Sequence, residues 1–480
     1  MTGRLTMLLI LLSCAVPAMA QFGPPEPAAP ENAPWEKVAR EVKAIDERNL
    51  KQHGDNPDML VRPGLLASRK EKWVKVWSRS TTVRYGDAIE FFLIPQDSGK
   101  DYESLAVAFA KPSDVHAALE FIGMKPGRPV NYAKHQYWPK GERVLMTLEW
   151  EQPPAEGVKN AKPAPMKARA EELILDVRKE QPLEKTGFIF TGSYWFTSEE
   201  TGKRMYAADV MDSKSIASDF NDSATVLDVP RQANKGAVYD TQRLNPAYRF
   251  APAQPVVVTL EPEHKDGKTR VRDLTLDVSM PAGGAGGPQA GKYVLSDSLG
   301  RPAAEGQSFI HLLAALGKMT ETGLDPYVTV HMDPAMHLRN VKQVFNVLQQ
   351  LDNEKGIRLE APPEGQLYYR AFFPDEQWRD RTQRLGKPWE LHLVEKDKQV
   401  AGTLILPADE IDDNDGKGDL KFTVATPAET AAVLKEKSGK FSQTVYIYAP
   451  GTLAYGQLMG FIGESMKTHP GVYVFLPNGP

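Results

Sequence analysis

Apolar residues change their spacing along this 480-residue chain, and the changes mark its elements. The first twenty residues hold a single charge, Arg4, ahead of an apolar run from Leu5 to Leu12 in which only Thr6 is polar. Pro24, Pro25, Pro27, Pro30 and Pro34 then predict an extended spacer. Trp35, Val38, Val42 and Ile45 return at helical spacing, which predicts a helix packed on the body behind it. From Leu60 the pattern turns strand-like, in Trp73 to Trp77, Ile89 to Ile94, Val144 to Trp150, Leu173 to Val177, Phe188 to Phe190 and Val256 to Leu260. One short helix interrupts it, opened by Pro112 and Ser113, carrying Val115, Ala118, Leu119 and Ile122, and closed by Gly123.

A different rhythm follows, and it occurs twice. Val328 to Met332 alternates as a strand. Leu338, Val341, Val344, Phe345, Leu348 and Leu351 then fall at helical spacing, Gly356 breaks the helix, and Ile357 to Leu359 is the next strand. The order recurs in Val445 to Tyr448, in Tyr455, Leu458, Phe461 and Ile462, and in Gly471 with Val472 to Val474. Each unit is strand–helix–strand, so its two strands should lie parallel across a right-handed crossover. The recurrence predicts a duplication. The fold class is therefore α+β, a β-rich N-terminal domain followed by two tandem βαβ-containing α/β modules. The boundaries are a leader over 1–20, a Pro-rich spacer and helix over 21–59, the β-rich domain over 60–262, a first module over 268–363, a connector over 364–387 and a second module over 388–480.

Leu65 with Ala67, Lys100-Asp101-Tyr102-Glu103-Ser104, and His116 through Gly127 with Pro129 carry a resemblance. So do Phe190-Thr191-Gly192-Ser193-Tyr194-Trp195, Glu200-Thr201-Gly202-Lys203, Asp219-Phe220 and Val226-Leu227-Asp228-Val229-Pro230. Through these residues the β-rich region resembles the YdjY-domain family of bacterial exported proteins. The resemblance implies an envelope domain of unassigned activity and supplies no catalytic residue. Some relatives are described as ferredoxin-like, but a cluster needs cysteines that this region lacks, so no iron–sulfur role is implied. Asp333 with Leu338, and Pro450 with Tyr455, sit where each strand–helix–strand unit resembles the soluble periplasmic domain of ExbD/TolR-type proteins. That family's membrane helix is absent, so only the soluble module is implied.

Composition narrows the function. Ala18-Met19-Ala20 before Gln21 has the small–x–small form of a secretory cleavage site, and the apolar run is too short to span a bilayer. The chain is expected to be exported, periplasmic or secreted. Cys14 is the only cysteine. Two fates stay open for it. Cleavage after Ala20 removes it, whereas Leu11-Leu12-Ser13-Cys14 also resembles a lipoprotein box that would make it a lipid anchor. A formal net charge of −4 without a basic block gives no reason to expect nucleic acid, and a lipid anchor is the one expected contact with a membrane. The expected partner is another envelope protein.

Catalytic patterns are sought and mostly fail. Gly286 and Gly291-Lys292 have phosphate-loop spacing, but Tyr293 replaces the magnesium-binding hydroxyl and Pro288 interrupts the loop, so no nucleotide cofactor is expected. Asp409, Asp412, Asp413, Asp415 and Asp419 form an acidic turn with Ile411 where an EF-hand needs an oxygen ligand, and it reads as a solvated hairpin before a weak calcium site. His331 and His337 lack zinc-helix spacing, so no metal is expected. Ser213-Lys214-Ser215 misses the spacing of a serine–lysine dyad. What remains is aromatic. Tyr194, Trp195, Phe196 and Tyr206 flank the turn Glu199 to Lys203 and are expected to plug the core, or, if exposed, to stack on a ligand or cover a partner. Tyr368, Tyr369 and Trp378, between the modules, form a second candidate surface. The reading that results is a non-catalytic binding or assembly protein of the cell envelope. The alternatives are an exported enzyme acting on a cell-wall or sugar polymer, and an accessory of an envelope transport complex.

Overall fold

The computed structural model describes residues 34–132, 136–155, 157, 162–281, 287–360, 387–396, 399–408, 418–437, 443–469 and 471–476. The leader with Cys14, Ala18, Ala20 and Gln21 lies outside them. So do most of the acidic turn around Asp412 and the candidate residues Tyr368, Tyr369 and Trp378. The architecture is mixed α+β.

Helix Pro34–His53 buries Val38 and Val42, and Asp46 accepts a hydrogen bond from the Gly64 amide at 2.9 Å, which ties the helix to the first strands. Beyond it the sheet closes on itself. Trp73–Ser80 pairs with Pro255–Pro262, which pairs with Arg143–Gln152, then Phe188–Phe190, Leu227–Asp228, Ala217–Ser218, Phe91–Pro95 and Ser104–Ala108. Ser104–Ala108 then pairs back onto Trp73–Ser80, with Ser78 opposite Ala108. Closure removes two sheet edges that would otherwise template aggregation. The ring is filled by Val74, Val76, Phe92, Leu93, Met146, Leu148, Phe188, Phe190, Val256 and Val258, all buried. Side chains alternate along Trp73–Ser80, Arg143–Gln152 and Pro255–Pro262, whose inward faces are apolar, while Phe91–Pro95 and Ser104–Ala108 are buried on both faces, so the ring is packed rather than hollow.

Two small sheets, Trp195–Thr197 with Arg204–Tyr206 and Gln242–Leu244 with Ile174–Asp176 and Gln181–Pro182, border the ring, and the strands after Pro262 form two more. In the first, Val271–Ser279 lies between Lys292–Asp297 and Asp325–Met332, and Arg358–Glu360 closes the far edge. In the second, Trp389–Lys396 lies between Gln399–Leu406 and Thr444–Tyr448, flanked by Leu420–Val424 and Gly471–Phe475. Helix Leu338–Lys355 crosses between the parallel strands Asp325–Met332 and Arg358–Glu360. Helix Tyr455–Met466 does the same between Thr444–Tyr448 and Gly471–Phe475. Gly356 ends the longer helix in the left-handed region at φ 65°, a conformation that costs glycine little.

The two sheets share one core, and the turns before these helices join them. The Leu338 amide donates to the Leu453 carbonyl at 3.0 Å, and the Tyr455 amide donates to the Met336 carbonyl at 2.8 Å. Arg339 donates to Gly451 at 3.0 Å, and Gly456 donates to Pro334 at 2.8 Å. Moving each number by 117 (336 to 453, 338 to 455, 339 to 456) turns one pair of bonds into the other. His337 and Ala454 bridge at the centre. The contact is thus isologous, as across a two-fold dimer axis. It also gives each helix partners for first-turn N–H groups that a helix cannot satisfy itself.

Gly456 tests this joint. A Cβ there would stand 2.8 Å from the Cβ of Pro334, whereas one at Gly463 in the same helix would meet nothing within 4 Å. Alanine favours a helix over glycine by about 1 kcal/mol. Gly463→Ala is therefore expected to stabilise the chain by roughly that amount. Gly456→Ala is expected to lose about 1 kcal/mol net, because overpacking costs more than the propensity returns. Urea unfolding of both variants checks the opposite signs. Equal gains would mean that Pro334 does not press on the helix.

The ring docks on the open face of the first sheet. Asp325 sits between Arg143, from the ring, and Arg358, from the last strand of that sheet, with closest contacts of 2.8 Å to each. The Tyr327 hydroxyl donates to the Pro139 carbonyl at 2.6 Å. Arg128 pairs with Glu360, and Lys140 pairs with Asp273. Among the described residues no helix is long and apolar enough to cross a membrane.

Candidate partner-binding surface

The helix Pro112–Phe121 and the strand Phe188–Phe190 converge on one turn. Pro112 is tolerated in the first turn of the helix because its missing N–H would be unpaired there anyway, and Val115, Ala118 and Leu119 anchor the helix in the ring. Its remaining face carries His116 toward Gly192. The turn Gly192-Ser193 has both residues in the left-handed region, at φ 76° and φ 50°. A side chain at Gly192 would meet Pro126 Cβ at 2.5 Å and His116 Cε1 at 3.0 Å, so only glycine fits. Serine at a positive φ is strained, and its hydroxyl offsets the strain by donating to the Ala224 carbonyl at 2.8 Å.

Three further groups hold the turn. The Tyr206 hydroxyl donates to the Gly192 carbonyl at 2.9 Å and lies 2.8 Å from His116 Nδ1. His116 Nε2 lies 3.3 Å from Glu120, so both ring nitrogens are engaged. Burial pushes the Tyr206 phenol far above its usual range, so at physiological pH it stays a neutral hydrogen-bond donor.

The chain leaves this turn as a two-stranded hairpin, Trp195–Thr197 against Arg204–Tyr206, with Trp195 opposite Tyr206 and Thr197 opposite Arg204. Tyr206 is buried. Tyr194 is 37% exposed and Trp195 49% exposed, while Phe196 is half-buried. The expectation that these aromatics plug the core therefore holds for Tyr206 and is corrected for Tyr194 and Trp195. Tyr206 fills the inward place beside His116, and the Trp195 ring packs on it from outside at 4.9 Å. The Arg204 guanidinium lies 4.7 Å over the Trp195 ring. The arrangement is a rigid aromatic face with a cation laid on it. Nothing in it is poised as a nucleophile.

Other sequence candidates are placed elsewhere. Lys214 pairs with Asp97 at 3.0 Å and Ser215 Oγ meets Asp222, so the Ser213-Lys214-Ser215 stretch forms no dyad. His331 faces a groove of about 470 Å³ on the open face of the first sheet, with Asp277, Lys292 and Asp333. A groove of about 460 Å³ runs over the outer face of the ring, where Glu149 is paired with Lys167 at 2.8 Å.

A second cluster escaped the reading of the sequence. Asp219 and Asp228 are fully buried beside the short strands Ala217–Ser218 and Leu227–Asp228. Burial pushes the Asp219 carboxyl up to about 6 against the pull of its partner Arg231. Burial also raises Asp228 well above its usual range. Asn221 and the Val229 amide both donate to its Oδ1, leaving Oδ2 without a hydrogen-bond partner, as suits a protonated acid. Glu90, also raised by burial, pairs with Lys235 at 2.9 Å. The signal available in the sequence was the pair of short stretches Asp219-Phe220 and Val226 to Pro230, noted for resemblance and not for charge.

Residues 70–213 match the YdjY domain. The matched stretch includes His116, the Gly192-Ser193 turn and the aromatic hairpin. No curated protein matches the chain.

Proposed function

We propose that this is an exported cell-envelope protein that binds and helps assemble another envelope protein, without catalysis of its own. One observation carries the reading. Tyr194 and Trp195 stand exposed on a hairpin whose base is locked by the Gly192-Ser193 turn, Tyr206 and His116. Large aromatics held rigidly at a surface lose little entropy on binding, which is why they serve as anchors at interfaces. In this reading the leader 1–20 directs export, and Cys14 offers the lipid-anchored alternative. The two strand–helix–strand modules act as ExbD/TolR-like soluble modules fused in tandem.

The test is a photo-reactive amino acid at Thr197, an exposed hairpin position, in intact cells, with the same label at Leu299, 74% exposed on the first module, as reference. A discrete protein adduct from Thr197 and not from Leu299 is expected. Absence of any protein adduct, joined to turnover of a wall polymer by the purified chain, would replace this reading by an enzyme. Mass spectrometry of the mature chain tests export. A chain beginning at Gln21, or at a lipid-bearing Cys14, is expected, and an intact Met1 would refute it.

A further inference from the structure

We infer that the hairpin recognises an acidic segment of its protein partner, with Arg204 as the residue that reads the acid. The inference rests on the binding role proposed above and names the chemistry of the partner.

Three observations lead to it. First, the Trp195 face is not vacant. The Arg204 guanidinium covers it at 4.7 Å and the Tyr206 ring flanks it at 4.9 Å, tilted by 49°. A sugar ring would need to displace the cation before stacking there, whereas a carboxylate would find it already placed. Second, Arg204 is exposed, and among the described residues no carboxylate lies within ion-pair distance of it. Elsewhere in the same body Arg79 is taken by Asp101, Arg143 by Asp325, Arg169 by Glu171 and Arg231 by Asp219, while Arg69, which also lies over a ring, spends its Nε on the Phe121 carbonyl. Third, the guanidinium is pre-positioned. It projects from a hairpin strand, opposite Thr197, and its Cζ lies over an indole. A planar guanidinium held over a ring can turn its N–H edges to a carboxylate for a two-point contact.

The neighbouring charges agree with an acidic segment of limited length. Lys203, next in the chain, is exposed and adds a second cation. Glu199 and Glu200 are exposed in the turn and oppose further acid there. An acidic group is therefore favoured over the Arg204 end of the hairpin, with apolar side chains of the partner resting on Tyr194 and the open edge of Trp195. Electrostatic complementarity of this kind sets specificity and encounter rate more than raw affinity.

The experiment uses the full chain in cells with the photo-reactive residue at Thr197, in three backgrounds: Arg204 intact, Arg204→Lys and Arg204→Glu. Adduct yield is expected to drop at least about tenfold in Arg204→Glu, and less in Arg204→Lys, which keeps the charge and loses the flat fork. The partner peptide, mapped by mass spectrometry, is expected to contain Asp or Glu. Replacing that acid by Lys should restore the adduct to Arg204→Glu. Circular dichroism of the purified variants guards against unfolding as the cause, and Arg204, exposed as it is, should tolerate both changes. An undiminished adduct in Arg204→Glu, or a mapped segment without acid, overturns this inference and leaves the binding role intact. No protein adduct even with Arg204 present overturns both.

Discussion

Asp325→Ala is expected to destabilise the folded chain by about 3–5 kcal/mol, the range for removing one partner of a buried ion pair. Asp325 is nearly inaccessible and is held by two guanidiniums from different bodies. Arg143 reaches its Oδ2 through Nε at 3.1 Å and Nη2 at 2.8 Å, and Arg358 reaches its Oδ1 at 2.8 Å. Burial alone would raise the Asp325 carboxyl, but the charges of Arg143 and Arg358 outweigh it and hold the group below the usual carboxylate range. Alanine would leave two buried cations facing each other with no counter-charge. Water cannot enter freely to replace it, because the Arg358 guanidinium is roofed by the rings of Trp138 at 5.2 Å and Tyr327 at 5.1 Å. The loss should appear in urea unfolding as a lower midpoint, and as early separation of the ring from the first sheet. The double variant with Arg358→Met should recover part of it, since it removes one of the two stranded charges. A shift below about 1 kcal/mol would show that the joint is wet and screened, as exposed ion pairs are.

That triad marks the boundary of what could be read beforehand. Of the residues whose spacing predicts the helix after Met332, Leu338, Val341, Val344, Phe345 and Leu348 are buried and Leu351 is half-buried, because a 3.6-residue period is a local property, whereas the burial of Asn340 and Asp352 in the same helix is not. Closure of the ring is not local. It depends on Ser104–Ala108 finding Trp73–Ser80, and on the strands Ala217–Ser218 and Leu227–Asp228, which at two residues each are too short to show any period. The aromatic hairpin was visible as residues and ambiguous as a surface. Trp195 and Tyr206 are direct partners on one face of it, and the His116–Gly192 pocket, assembled from distant segments, takes in the Tyr206 ring and leaves Trp195 outside. Buried acids hide for the same reason. A carboxylate reads as solvent-facing until its partner is known, and Asp325 finds Arg143 across 182 positions of sequence.

The fully buried carboxylates Asp219 and Asp228 also make stability depend on pH, in the direction opposite to Asp325. The folded pKa of Asp219, about 6, lies above the ordinary 3.8, so folding favours its protonated form. Its contribution is fully present below pH 3.8 and is lost as pH rises through about 6. The displacement corresponds to about 3 kcal/mol at 1.36 kcal/mol per unit. Around Asp219 stand Arg231, which lowers it, and Asp176, which raises it. Around Asp228 stand Asn221, Asp222, the Val229 amide and Arg231, and burial still carries it well above its usual range. Glu90, paired with Lys235 and near Glu103, shifts in the same sense. Asp325, depressed below 3.8, acts only at lower pH, so its opposite contribution falls outside this window. Stability is therefore expected to decline from about pH 4 to about pH 7, with Asp219 contributing about 3 kcal/mol of the fall and His469, whose imidazole burial holds below its usual range, opposing it as pH approaches 6.5. Asp219→Asn, which cannot ionise, should flatten the decline by that share, and Asp228→Asn should flatten what persists. Urea midpoints across this range read the slope directly. An Asp219→Asn chain that keeps the full wild-type slope would mean that the acid beside Arg231 is already ionised in the folded protein.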